Sequence, residues 1–129
     1  MNLFTYGTLM FPEVWQRIGI GEFSSYPATL PGFAIYRMRD AVFPGIVRAD
    51  PHDQVSGRLY LDLSEDVLFE LDAYESDLYE RIPAIAATEA GPIECTVFVI
   101  PDSRRKALTK ETWDAEWFRQ HHLEKYLHG

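Results

Sequence analysis

The sequence predicts an α+β domain, a small mixed β-barrel with flanking helices. Three observations lead there. The element order reads strand, helix, several strands, helix, hairpin, helix, which lacks the regular alternation of a doubly wound parallel sheet. Pro-Gly pairs at 31–32 and 44–45, and a glycine within "VSGRLYLDL", supply the bends that let a sheet curve and close. A chain of 129 residues, 47% hydrophobic, can build one core without covalent staples, so 1–129 reads as a single domain.

Each element has its own signal. Residues 2 to 6, "NLFTY", form a first strand. "PEVWQRIG" follows as a helix, with Pro12 suited to the first turn and Gly19 to the stop. "ATLPGFAIYRM" is extended chain bent at Pro31-Gly32, and "FPGIVRAD" is short and extended. In "VSGRLYLDL", Leu59, Leu61 and Leu63 face one way and Arg58, Tyr60 and Asp62 the other. A helix runs from about Glu65 to Glu75. Ser64 is its N-cap, and Leu63 and Leu68 stand at the spacing of a hydrophobic staple. "RIPAIAATEAGPIECTVFVI" reads as a hairpin turning at Ala90-Gly91-Pro92. The last helix covers roughly Trp113 to Leu127. Trp113, Trp117 and Leu127 point one way on it, Phe118 and Tyr126 nearly the other. Such a helix packs on two sides, the reading placed first, or lends one side to a homodimer.

Charge and cysteine count remove several functions. The net charge of −8 argues against nucleic acid and anionic membrane as partners, because phosphate binding needs clustered Lys and Arg. The cluster Arg104-Arg105-Lys106 follows "PDS" and reads as a solvated loop. One cysteine, Cys95, gives no disulfide framework and no cysteine-based zinc cluster. It lies in an apolar strand and reads as structural. "MNLFTYG" has neither the basic start nor the apolar run of a signal peptide, and no segment is long enough to span a bilayer. A cytoplasmic setting is expected. His121, Glu124 and His128 are at helical spacings but not at those of a zinc enzyme, and His52 reads as a loop residue.

One carboxylate is out of place. At about 100° per residue, Val67, Leu71 and Tyr74 form the apolar stripe of the 65–75 helix, with Leu68 beside it. Glu75 falls on that stripe, while Phe69 points away from it. A core-facing glutamate at a helix C-terminus is pushed toward neutrality, which suits proton transfer near pH 7. The alternative is a frayed end where Glu75 meets water or pairs with Arg81. Tyr79 and Arg81, two apart, share a face if extended, and could orient a carboxyl group or simply pack and pair.

The second local feature is "YGTL". If Tyr6 ends a strand and Gly7 turns the chain, the N–H groups of Gly7, Thr8 and Leu9 converge into a nest for a carboxylate or oxyanion. The Thr8 hydroxyl and the helix starting at Pro12 would add to it. A plain glycine turn is the alternative.

Taken together, "YGTLM", "FPGIV" and "LDAYES-DLYERI" resemble the γ-glutamylcyclotransferase-like family over about residues 3 to 100. The short acidic chain is most similar to the compact bacterial and plant branch, close to γ-glutamylamine cyclotransferases. The resemblance implies a small mixed barrel and the cyclisation of γ-glutamyl amides to 5-oxoproline with release of an amine or amino acid. It places substrate binding on Tyr6, Gly7, Thr8 and Leu9, the general acid/base on Glu75 and a cavity wall on Tyr79. It implies a small γ-glutamyl substrate and no cofactor, metal or protein nucleophile. One departure stands out: Ser76 occupies a position that is usually glycine in the family, where a left-handed cap would favour glycine. A reading from another class remains, a non-catalytic anion- or metabolite-binding module built on the Tyr6–Leu9 loop.

Overall fold

Five strands close into a barrel in the order β1-β5-β2-β6-β7, with a separate three-stranded sheet, β4-β3-β8, beside it. The coordinates are a computed structural model, which describes residues 1–19, 21–75 and 77–128. The strands are β1 (Leu3–Thr5), β2 (Ser25–Pro31), β3 (Phe33–Met38), β4 (Pro44–Arg48), β5 (Gln54–Tyr60), β6 (Glu80–Thr88), β7 (Gly91–Val99) and β8 (Leu108–Thr112). The helices are α1 (Pro12–Ile18), α2 (Glu65–Tyr74), α3 (Ala115–His121) and α4 (Leu123–His128).

Closure depends on β1. It pairs antiparallel with β5, Thr5 opposite Arg58, and parallel with β7, Leu3 opposite Thr96. The Thr5 hydroxyl adds a bond to the Arg58 carbonyl at 2.8 Å. Gly57 makes the crossing feasible, because a Cβ there would collide with the Thr5 carbonyl and approach the Phe4 ring to 2.7 Å. The Pro31-Gly32 bend is present: Gly32 has φ 84° and separates β2 from β3. There the chain leaves the barrel and starts the second sheet.

The core has a barrel interior and a helix-facing layer. Phe4, Leu30, Ile46, Val55, Leu59 and Val97 fill the first. Leu3, Val14, Trp15, Leu68, Leu71, Phe118 and Leu123 form the second, against the barrel's outer side. Leu71 is fully buried, and truncating such a leucine costs about 2–5 kcal/mol. Leu63 and Leu68 both enter this layer, as the staple requires. Ser64 Oγ accepts from the Val67 N–H at 3.2 Å, the expected cap.

Several expectations are corrected. The helix of 65–75 stops at Tyr74, and Glu75 is its C-cap in extended conformation, φ −74° and ψ 149°. The span 113–127 is two helices, interrupted at His122 (φ −133°, ψ −22°). The interruption re-phases the chain, so Phe118, Trp117, Tyr126 and Leu127 all reach one apolar cluster although a continuous helix would separate them. Tyr79 precedes β6 rather than lying in a strand with Arg81. The hairpin turn falls at Glu89-Ala90, with Gly91 already opposite Thr88. Residues 104–106 lie in an exposed 3-10 segment, Asp102–Ala107, and β8 was not anticipated. Phe69 is 72% exposed and nothing described covers it. Ser76 lies outside the described residues. Among the described residues no helix is long and apolar enough to cross a membrane.

Candidate active site

Two elements far apart in sequence line one cavity of about 430 Å3. The first is the turn leaving β1. Tyr6 is buried, and its hydroxyl donates to the Phe98 carbonyl at 2.5 Å, which fixes the ring at the barrel mouth. Next comes Gly7, where a Cβ would stand 3.0 Å from Cγ of Pro44, leaving little room for a side chain. Thr8–Met10 form a single 3-10 turn, with the Met10 N–H on the Gly7 carbonyl (3.0 Å) and the Phe11 N–H on the Thr8 carbonyl (3.1 Å). The leading N–H groups of such a turn have no upstream carbonyl within it. Tyr6, Gly7, Thr8 and Leu9 all border the cavity.

The second element is the end of α2. The Glu75 N–H completes the last helical bond, to the Leu71 carbonyl at 2.9 Å, before the backbone turns away. The side chain, half-buried, borders the same cavity as the loop. Burial pushes its carboxyl up from 4.5 to about 7, since the ionised form loses hydration. Among the described residues no cation pairs with it. Arg81 gives Nε and Nη2 to the two carboxylate oxygens of Asp72, at 3.0 and 3.1 Å, so the alternative Glu75–Arg81 pair is not formed.

Two tyrosines complete the polar part. Tyr79 borders the cavity and donates to the Pro44 carbonyl at 2.6 Å. Burial first, then the neighbouring Glu75 charge, holds its pKa well above the ordinary phenol value. Tyr6 is raised too, by burial, then by Tyr79 and Glu75. Both phenols therefore stay neutral near pH 7. A further bond joins the two elements: the hydroxyls of Thr8 and Tyr74 lie 3.2 Å apart.

The remaining walls were not read from the sequence. Met38 ends β3, Arg39, Ala41 and Phe43 lie in the turn after it, Pro44 begins β4, and Tyr126 comes from α4. The Tyr126 ring meets Phe43 edge-on, centroids 5.5 Å apart. Its place on the second face of the C-terminal helix was the available signal. Arg39 had none, since an arginine in a turn reads as solvated.

Other candidates do not gather here. Cys95 lies in β7, away from this cavity, and burial pushes its thiol up to about 11, which suppresses nucleophilic character. His121 ends α3, whereas Glu124 and His128 belong to α4, so the three do not share one helix. Among the described residues no three His, Cys, Asp or Glu side chains cluster as a metal site.

Known proteins carry the same arrangement of elements. The family described as gamma-glutamyl cyclotransferase, AIG2-like, matches residues 3–117. The Arabidopsis thaliana protein AIG2 C is 29% identical over 130 residues, covering 98% of this chain and 76% of its own length. A solution structure of an Arabidopsis thaliana protein superposes with a TM-score of 0.75 at 26% identity, over 98% of this chain and 85% of that one. A solved gamma-glutamyl cyclotransferase shares the fold, with a TM-score of 0.61 at 21% identity over 78% of this chain and 66% of that one.

Proposed function

The chain belongs to the gamma-glutamyl cyclotransferase, AIG2-like family, and on that premise we propose that it cyclises a γ-glutamyl amide or peptide to 5-oxoproline, with Glu75 as general acid and base. Family membership supports a cyclotransferase-type activity. The observation carrying the finer reading is that Glu75 and the Tyr6–Leu9 loop border one cavity.

The chemistry is an internal acyl transfer. The substrate enters with its α-amino group as an ammonium, which is not nucleophilic. Ionised Glu75 takes a proton from it. The freed nitrogen attacks the γ-carbonyl carbon, a C–N bond forms and closes a five-membered ring, and the carbonyl oxygen becomes an oxyanion. As the oxyanion collapses, the original amide C–N bond breaks and its nitrogen receives a proton from Glu75. Over the cycle the α-nitrogen loses two protons and the departing nitrogen gains two, leaving as an ammonium. Glu75 carries them one at a time.

Its pKa of about 7 fits both halves of this task, because a group titrating near the working pH both accepts and returns a proton readily. The neutral Tyr6 and Tyr79 add no negative charge against it. The amides of Gly7, Thr8 and Leu9 would hold the substrate carboxylate or the oxyanion, and losing one such donor typically costs about 100-fold in rate or more. Folding the γ-glutamyl chain back on itself supplies much of the acceleration, since well-oriented intramolecular attack is strongly favoured.

The test is 5-oxoproline release from a panel of γ-glutamyl amines and dipeptides by the wild type and by Glu75→Gln. Glutamine keeps the shape but cannot shuttle the proton, so turnover should fall about 100-fold or more. Full activity in the variant removes Glu75 from the mechanism. Binding of the panel without product supports the binding-module reading instead.

A further inference from the structure

The cavity has a second charged residue, at its rim. Among the described residues that border it, Glu75 and Arg39 are the charged ones. Arg39 stands in the turn between β3 and β4, closed by the Met38 N–H on the Phe43 carbonyl (2.8 Å) and the Ala41 N–H on the Met38 carbonyl (3.3 Å). Asp40 takes the left-handed conformation at its tip, φ 58°. This turn is tied to the strand segment ending the 3-10 stretch. The Arg39 backbone N–H donates to the Ala107 carbonyl at 2.7 Å. Its Nε donates to the Lys106 carbonyl (3.2 Å) and its Nη2 to the Leu108 carbonyl (3.4 Å).

Those bonds fix an exposed arginine that would otherwise sweep solvent. A guanidinium has five N–H donors, and the two carbonyls occupy only part of the set. Among the described residues no carboxylate lies in ion-pair range of Arg39, whereas Arg37, Arg81 and Arg119 each have one. A cation held in place, with donors to spare, at the edge of a ligand-sized cavity is arranged to receive an anion from the ligand. Pre-ordering removes much of the entropic cost of that contact. The cavity is also bordered by the apolar side chains of Met38, Ala41, Phe43 and Leu78 and by the Tyr126 ring.

Building on the cyclotransferase reading above, we infer that Arg39 is a specificity-determining residue that binds a carboxylate on the leaving group, so that the preferred substrates are γ-glutamyl α-amino acids with apolar side chains. The γ-glutamyl half occupies the loop and Glu75. The leaving half lies against the apolar walls with its carboxylate at Arg39. A leaving group with a cationic tail, such as a diamine, would be repelled by the same guanidinium.

Two substrates differing by one carboxylate test this: γ-glutamyl-phenylalanine and γ-glutamyl-phenethylamine. In the wild type the ratio of their kcat/KM values should favour the acid by about tenfold, the scale of a partly exposed charge-assisted contact. In Arg39→Gln the ratio should fall to near one. In Arg39→Glu a γ-glutamyl diamine should overtake the dipeptide. A ratio that is the same in wild type and Arg39→Gln overturns the assignment. If the wild type cyclises neither compound, the full γ-glutamyl panel decides the cyclotransferase reading, and calorimetric binding of γ-glutamyl-phenylalanine decides the role of Arg39 separately. Binding about tenfold weaker in Arg39→Gln supports it. Equal binding, or none to the wild type at millimolar concentration, overturns it.

Discussion

The hydroxyls of Thr8 and Tyr74, 66 positions apart in the chain, lie 3.2 Å from each other and tie the first turn to the residue directly before Glu75. The bond sets the loop at a fixed distance from the carboxyl group. Thr8→Val and Tyr74→Phe each remove one partner with little change of shape. Each should cost about 1 kcal/mol of stability, and the double variant little more than either alone. Urea denaturation of the four proteins checks this. If the bond positions the loop for catalysis, 5-oxoproline release should drop by about tenfold in either single variant, because small misplacements of reacting groups are costly.

The pH profile follows from Glu75. On the proposed mechanism the base form of Glu75 is the ionised one, and burial raises its pKa to about 7. Below that value kcat/KM should fall about tenfold per pH unit as the carboxyl protonates, and above it the profile should level. A profile still flat at pH 5 would remove a buried carboxylate from the rate-determining chemistry.

The same group affects stability with the opposite sign from an ordinary paired carboxylate. Its folded pKa, about 7, lies above its ordinary value of 4.5. Between those values the folded chain holds a proton that the unfolded chain has lost, so stability decreases as pH rises from 4.5 to 7 and then stays at the lower level. Glu75→Gln never ionises and avoids this loss. It should be more stable than the wild type at pH 8, by on the order of 1–3 kcal/mol, with the gain shrinking toward pH 4.5. Thermal or urea denaturation of both proteins at several pH values measures it. A variant less stable than the wild type at pH 8 would show that the carboxylate is well solvated or paired.

Tyr79→Phe isolates a structural contact next to the chemistry. The lost hydroxyl leaves the carbonyl of the buried Pro44 without the 2.6 Å bond it now accepts. The expected cost is about 1–3 kcal/mol in urea denaturation. An unchanged midpoint would mean that water replaces the phenol.

Glu75 was legible as an acid four positions after Leu71 on an apolar stripe, although it borders the cavity as the extended C-cap and not as part of the helix. The Ser64 cap and the Pro31-Gly32 bend were legible for similar reasons, since each depends on local backbone chemistry. The break at His122 was not, because neither glycine nor proline marks it and the gain comes from packing Phe118 and Tyr126 on one cluster. The rim arginine was invisible in principle. What makes Arg39 more than a turn residue is its bonding to carbonyls at 106 and 108, and a linear reading has no means of bringing 39 beside 108.

The matched family region ends at residue 117, and Tyr126, which contributes to the cavity, lies beyond it. Glu75 and the Tyr6–Leu9 turn therefore sit within the matched family region, while one wall is made by a residue that follows it. On the proposed mechanism, exchanging residues 118–128 between relatives, with the barrel untouched, should shift the preference for one amine or another and leave the proton transfer in place.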